Sequence, residues 1–331
     1  FMYHNRQNGT FEEVGFPMGT AVGPDGRGYG NMAADFGDFD RDGKLDLFVT
    51  RADDQPASLY RNEGDYFTDI AREAGIAGPT KVPVKWGTGF GDFDNDGWLD
   101  ILVANGSFSS LLDTLPKEYR FAEPIQLFRN RGDLTFENVS DTAGLNTGRL
   151  YSRRGTAFGD INNDGKLDAV VFNADAPPSV FLNETTNSNH WVLFRLIGTK
   201  SNRGAIGARV RVTTSKMTQI DEVRAGGSYN STNDTRLHFG LGSDATINKI
   251  EVLWPSGLRQ EFSEIQADAI YEIKEGEPIR KTTPVGGMKE DWESPERVEA
   301  QRRGRDQASQ PSFGLGSIFS VSGNAPRKRS N

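Results

Sequence analysis

The chain has 331 residues, which is enough for one large domain or for two domains of ordinary size. It has no cysteine and only three histidines, so a disulfide framework, a thiolate metal site and a cysteine nucleophile are excluded. The net charge of −8 argues against nucleic acid as a partner, whereas clustered acids suit cations. No apolar run of roughly 18 residues is present, so no transmembrane segment is predicted.

Two kinds of element alternate along the first half of the chain. The first is a nine-residue acidic stretch that reads DFDRDGKLD from Asp38, DFDNDGWLD from Asp92 and DINNDGKLD from Asp160. Each copy follows a Phe-Gly pair and precedes an apolar run typical of a β-strand. The copies are 54 and 68 residues apart, and self-similarity at such a period predicts a repeat architecture such as propeller blades.

The second element lies between the acidic stretches. It reads as a short strand, an Asn/Gly turn and a second strand centred on Phe, beginning at Tyr3, Leu59 and Leu127. A further copy begins at Val180 and breaks off. One repeat unit is therefore predicted to consist of an acidic loop, a strand and a hairpin.

The spacing of oxygens in the acidic stretches suits Ca²⁺, which takes about six to eight oxygen ligands. Side chains at positions 1, 3, 5 and 9 and the carbonyl at position 7 can converge on one ion, and Gly at position 6 permits the sharp turn. Mg²⁺ is less favoured because it demands near-ideal octahedra with fewer protein ligands. The predicted ligands are Asp38, Asp40, Asp42, Lys44 and Asp46; Asp92, Asp94, Asp96, Trp98 and Asp100; and Asp160, Asn162, Asp164, Lys166 and Asp168.

The third loop has an amide at position 3, in Asn162, where the other two loops have a carboxylate. With one charge fewer, it is predicted to be the weakest of up to three calcium sites. The alternative for each loop is a blade turn that has kept its shape without binding an ion. Position 12 is Val in all three copies and the flanks read as strands, so these are EF-like loops rather than EF-hands.

From His190 to about Lys274 the acidic loops give way to alternating apolar and polar residues. The stretches ARVRV at 208–212, RLHFGL at 236–241 and KIEVLW at 249–254 predict short strands of a β-sandwich. Five polar residues here allow two interpretations, a recognition surface or, more simply, ordinary turn and outward-facing strand positions. They are Arg224, Ser228, Tyr229, Arg236 and His238.

These patterns resemble two known families. The acidic loops and their flanks resemble FG-GAP or VCBS repeats of β-propellers, including the calcium-binding blades of integrin α chains, over residues 3–183. The stretches NHWVLFRLIGTKSNRGAIGARVRV and IEVLWPSGLRQEF resemble the ASPIC/UnbV domain. The resemblance implies an all-β protein with a partial propeller of about three blades at 1–187 and a sandwich-like domain at 188–276. Residues 277–331 are rich in Pro, Gly, Ser and charge, which predicts a disordered tail or linker. Such propellers usually have about seven blades, so we expect the chain to be part of a longer one.

The function these patterns favour is a calcium-binding, non-catalytic interaction or adhesion module with an unidentified protein or glycan partner. We expect it to be extracellular, on the cell surface or periplasmic, because sites with Kd of about 10⁻⁴–10⁻³ M are filled outside cells. Two alternatives use the same propeller: a carbohydrate-binding module and a carbohydrate-active enzyme with lyase or dehydratase chemistry. The enzyme would need an acid–base group converging on an open metal site.

Overall fold

The computed structural model describes residues 1–23, 26–114, 120–148, 150–174 and 176–282. Within these ranges the regular structure is β-strand, apart from one 3₁₀ turn at Ser110–Thr114, which confirms the all-β prediction. No helix in the described part of the chain has the length and apolar character to cross a membrane. Most of the predicted tail, residues 283–331, lies outside the described residues.

The first half of the chain forms a hairpin and three blade-like antiparallel sheets in sequential strand order. The hairpin comprises β1 (Tyr3–Asn5) and β2 (Phe11–Glu13). The first blade comprises β3 (Asn31–Gly37), β4 (Asp46–Arg51), β5 (Ser58–Asn62) and β6 (Phe67–Asp69). The second comprises β7 (Lys85–Gly91), β8 (Asp100–Asn105), β9 (Gln126–Asn130) and β10 (Phe136–Asn138), and the third β11 (Arg153–Gly159), β12 (Asp168–Asn173) and β13 (Ser179–Phe181).

Each acidic loop joins the first two strands of its blade in the same register. The glycine that ends the first strand pairs with the aspartate that begins the second: Gly37 with Asp46, Gly91 with Asp100 and Gly159 with Asp168. A register shift near the start of β3, β7 and β11 is also shared. The sequence repeat is therefore a repeat of structure, and the three loops occupy equivalent places.

Adjacent blades pack through the first strands β3, β7 and β11, which lie side by side. Phe90 packs directly on Gly37, where a Cβ atom would lie 2.8 Å from the ring, and Phe158 packs in the same way on Gly89. Buried apolar side chains fill the space between the first two blades, including Phe48 and Ile101. Removing such surface from water is the main stabilising contribution at these interfaces.

The second half of the chain forms two four-stranded sheets packed face to face. One sheet has the order β17 (Leu237–Gly242), β14 (His190–Ile197), β20 (Ala269–Lys274) and β21 (Arg280–Thr282). The other has the order β16 (Thr218–Glu222), β15 (Arg209–Thr213), β18 (Thr246–Leu253) and β19 (Arg259–Gln266). Because β21 pairs with β20, regular structure continues to Thr282, beyond the expected boundary at 276.

The core of this second domain lies where the alternating pattern places it. Val210 and Val212 are buried, while Arg209 and Arg211 between them are exposed. Trp254, which follows β18, is almost fully buried in the same cluster. Alternation with period two puts every second side chain on one face of a sheet, and that face is buried here.

Candidate metal centres

The three acidic loops share one backbone conformation, held by two hydrogen bonds inside each loop. The carboxylate at position 1 accepts a bond from the N–H of the glycine at position 6, at 3.1, 2.7 and 2.9 Å in the first, second and third loops. The carboxylate at position 9 accepts a bond from the N–H at position 2, at 3.1, 3.2 and 2.9 Å. The glycines at position 6 have φ between 85° and 88°, a region open to Gly at little steric cost.

Carboxylates converge in the first two loops. One oxygen from each of Asp38, Asp40 and Asp42 lies within 4.8 Å of the other two, and the same holds for Asp92, Asp94 and Asp100. Two ligands on opposite sides of a Ca²⁺ ion, each at about 2.3–2.6 Å, are separated by about this distance. The sets gathered by the fold are therefore of a size that a single hard cation can bridge.

Burial makes these carboxylates costly to keep charged without a cation. It raises the pKa of Asp38 to about 7 and that of Asp46 to about 8, and neighbouring carboxylates add to both increases. The pKa values of Asp92 and Asp100 lie well above the ordinary range for the same reasons. In addition, Asp38 Oδ1 is buried and makes no hydrogen bond to the described residues. A divalent ion would offset the repulsion and give this oxygen a partner.

The third loop has a less acidic set of ligands. Asp160 and Asp168 are buried, and burial raises the pKa of Asp160 to about 6. At position 3, the amide of Asn162 donates to Asp164 Oδ2 at 3.1 Å. The order of affinities among the three loops stays a prediction.

Two arginines reduce the difference in charge between the first two loops and the third loop. Arg61 Nε donates to Asp40 Oδ2 at 2.6 Å, and Arg129 Nε donates to Asp94 Oδ2 at 2.7 Å, so each arginine faces the position 3 carboxylate. In the third hairpin the corresponding residue is Leu182. The third loop therefore lacks both the second carboxylate and the arginine that partly neutralises it.

An asparagine in each hairpin stabilises the acidic loop of its own blade through hydrogen bonds. These asparagines are not among the predicted ligands. The N–H groups of Asn62, Asn130 and Asn183 each donate to the position 9 carboxylate at 2.8 Å. Their side-chain amides donate to the carbonyl at position 8, at 2.9, 3.1 and 3.1 Å. The signal in the sequence is the Asn shared by the hairpin copies RNEG, RNRG and LNET.

Neighbouring loops are also bonded to each other. Asn130 Nδ2 donates to Phe39 O of the first loop at 2.9 Å, and Asn183 Nδ2 donates to Phe93 O of the second at 2.7 Å. At position 4, Arg41 Nε donates to Gly97 O at 2.8 Å, and Asn95 Nδ2 donates to Gly165 O at 3.1 Å. The loops therefore form a connected row, in which the position of one constrains the next.

The second domain contacts this row of loops at the third loop. Arg236 donates to Asp160 O and to Asn163 Oδ1, both at 2.7 Å, and His238 Nε2 lies 3.0 Å from Gly165 O. Besides occupying an outward-facing strand position, as the simpler interpretation expects of His238, these side chains contact the third loop. His238 does point away from the sandwich core, but it faces the third loop.

The other three residues of that group contact the first strands of the blades. Ser228 Oγ accepts a bond from Thr88 N at 3.1 Å, and the ring of Tyr229 packs edge-on against Trp86 with 4.7 Å between ring centroids. Arg224 Nε lies 3.9 Å from Asp35 Oδ1. All five polar residues therefore serve the junction between the two domains.

A cleft of about 480 Å³ opens between the second and third loops and the start of the second domain. Asp94 and Asp164 line it from the loops, and Trp191 lines it from β14. At its edge, His190 Nδ1 lies 2.7 Å from Asp268 Oδ2. The cleft thus combines an aromatic ring with carboxylates of the predicted ion sites.

Blade-like sheets with acidic loops, joined to a β-sandwich, define a class of all-β repeat protein. Two family models match the chain. The model for the FG-GAP-like repeat matches residues 1–49, 38–103 and 119–171, and the model named ASPIC and UnbV matches residues 198–280. The chain carries FG-GAP-like repeats followed by an ASPIC/UnbV domain, so the resemblance found in the sequence is confirmed.

Among named proteins, the chain is similar to cartilage acidic protein 1. It is 29% identical to the mouse protein over 305 residues, which are 86% of this chain and 43% of that protein. It is 30% identical to the human protein over 272 residues, 78% of this chain and 37% of that protein. It is 28% identical to the Xenopus tropicalis protein over 306 residues. The chain spans less than half the length of these relatives.

Proposed function

We propose that the blades bind Ca²⁺ at the three acidic loops and that the ion stabilises them within a non-catalytic extracellular interaction module. The observation that carries the proposal is the convergence of three carboxylate oxygens within 4.8 Å in each of the first two loops. The side chains at positions 1, 3, 5 and 9 would hold the ion, together with the carbonyls of Lys44, Trp98 and Lys166. Bound Ca²⁺ supplies positive charge that neutralises the buried carboxylates.

The location outside cells is supported by affinity and by the relatives. Loops of this kind in extracellular modules bind with Kd of about 10⁻⁴–10⁻³ M, which suits millimolar calcium outside cells. The relatives are named for cartilage, a tissue built on an extracellular matrix. Secretion or surface exposure would therefore keep the three loops loaded.

The non-catalytic role is supported by how the carboxylates are used. Each carboxylate at position 9 accepts two backbone N–H bonds, one from its own loop and one from the hairpin asparagine. Groups committed to holding a loop in shape are poorly placed to exchange protons with a substrate. The partner of the module is a protein or a glycan.

A glycan is the second candidate, and the cleft beside the second and third loops favours it. Trp191 offers an aromatic ring and Asp268 and His190 offer hydrogen bonds, a combination typical of sugar-binding surfaces. Glycan-array binding without release of product would support a carbohydrate-binding module, whereas product formation would support the enzyme.

Calcium binding is tested by thermal unfolding in millimolar Ca²⁺ and in excess chelator. A site at ten times its Kd gains about 1.4 kcal/mol, so three sites would raise Tm by on the order of ten degrees. We expect Asp92→Asn to lower this calcium-dependent rise by about a third. Asp65→Asn, which removes one charge from an exposed hairpin turn, is the matched control and leaves the rise unchanged.

An equal Tm in both buffers, with metal analysis finding no calcium bound to the purified protein, would remove the basis of the proposal. Equal reductions from Asp92→Asn and Asp65→Asn would show a general effect of charge instead of a site.

A further inference from the structure

The residue at position 4 connects each of the first two loops to the next loop, but in the third loop it contacts the second domain instead. In the first two loops, the residue at position 4 donates to the glycine carbonyl of the next loop: Arg41 to Gly97 O and Asn95 to Gly165 O. In the third loop, Asn163 at position 4 instead accepts a bond from Arg236 of the second domain, at 2.7 Å. The second domain stands where a further loop would otherwise continue the row.

Arg236 makes two hydrogen bonds to the third loop. Its second terminal nitrogen donates to Asp160 O at position 1, also at 2.7 Å, while Nε is fixed by Asp234 Oδ2 at 2.6 Å. His238 adds a third contact at Gly165 O, position 6. The side-chain oxygens of Asp160 and Asp164 take no part in these contacts, so they stay available to an ion.

We infer that Arg236 is a positioning residue for the third ion site and that the second domain completes this site by capping the row of loops. The inference rests on the proposed binding of Ca²⁺. By bonding to the backbone carbonyl of Asp160 and to the side chain of Asn163, the guanidinium restrains the loop segment that carries Asp160 and Asp164, so less conformational freedom is lost when the ion binds. Because coupling is reciprocal, ion binding at the third loop also strengthens the contact between the domains.

The experiment compares the calcium-dependent rise in Tm across a double-mutant cycle in the full chain. The proteins are wild type, Arg236→Ala, Asp164→Asn and the double variant, each measured in millimolar Ca²⁺ and in chelator. We expect each single variant to lose at most about a third of the rise, which is the share of one site, and the double variant to lose no more than Asp164→Asn alone. Calorimetric titration with Ca²⁺ would show one of three sites weakened at least about five-fold in Arg236→Ala.

Arg195→Ala is the matched control, since this arginine lies on β14 of the same domain with 63% of its side chain exposed. It is expected to leave the calcium-dependent rise unchanged. Arg236→Lys keeps the charge but loses the planar fork that reaches two acceptors, so we expect the loss to persist. Full recovery by lysine would overturn the two-acceptor geometry.

Two further outcomes would overturn the inference. If Arg236→Ala lowers Tm equally in calcium and in chelator, the residue serves only the domain junction. If the losses in the double variant add, Arg236 acts somewhere other than the third loop. A wild-type protein with no calcium-dependent rise would instead refute the proposed function, so the two failures are distinguishable.

Discussion

Asn130 allows a sharp test of how neighbouring blades are joined. Its side-chain amide donates to Leu99 O in its own blade at 3.1 Å and to Phe39 O in the preceding blade at 2.9 Å, and the residue is 2% exposed. Asn130→Ala would leave both carbonyls without this donor. A buried polar group left unpaired costs about 1–3 kcal/mol, so with two carbonyls affected the variant is expected to lose about 2–6 kcal/mol of unfolding free energy.

Asn62 is the matched comparison because it occupies the same place in the first blade. Its amide donates to Leu45 O at 2.9 Å, the counterpart of the bond to Leu99, and the residue is only half-buried. Asn62→Ala is therefore expected to cost about 1 kcal/mol. The difference between the two variants measures the bond that crosses between blades.

The assay is urea unfolding followed by tryptophan fluorescence in saturating Ca²⁺, with the midpoint and slope fitted for both variants and for wild type. Equal losses in Asn62→Ala and Asn130→Ala would refute the reasoning, because the bond to Phe39 would then contribute nothing measurable. A change of slope would indicate that the blades had begun to unfold separately.

The remaining predictions concern one buried acid and two glycines. Burial raises the pKa of Asp35 to about 6, although Arg224 lowers it. Since this pKa exceeds the unfolded value of about 3.9, the stability that Asp35 contributes is fully present below about pH 4 and lost as pH rises through about 6. Between pH 4 and 8, wild type should therefore lose about 2 kcal/mol more than Asp35→Asn by urea unfolding, and parallel pH profiles would contradict this. Gly165→Ala should lower Tm much more than Gly43→Ala: both have φ near 85°, but only at Gly165 would a Cβ meet Trp191, at 1.8 Å. Similar losses in the two would show that Trp191 moves aside freely.

Much of each candidate site could be predicted because its chemistry is local. The acidic spacing and the glycine at position 6 lie within nine residues, and the structure brings carboxylates of the first two loops together. The hairpin asparagines were visible as a repeated residue, yet their role was missed. Their bonds to position 9 depend on how the third strand of a blade lies beside the second.

By itself, the sequence determined the three loops, the strand-forming alternation of the second domain and the all-β class, because each depends on residues close together in the chain. Only the tertiary structure decided that Asn130 bonds to a carbonyl 91 residues away and that Arg236 reaches back 76 residues to Asp160. Such contacts depend on which surfaces the packed blades and the sandwich present to each other. That arrangement is set by the whole buried interface, and no short motif encodes it.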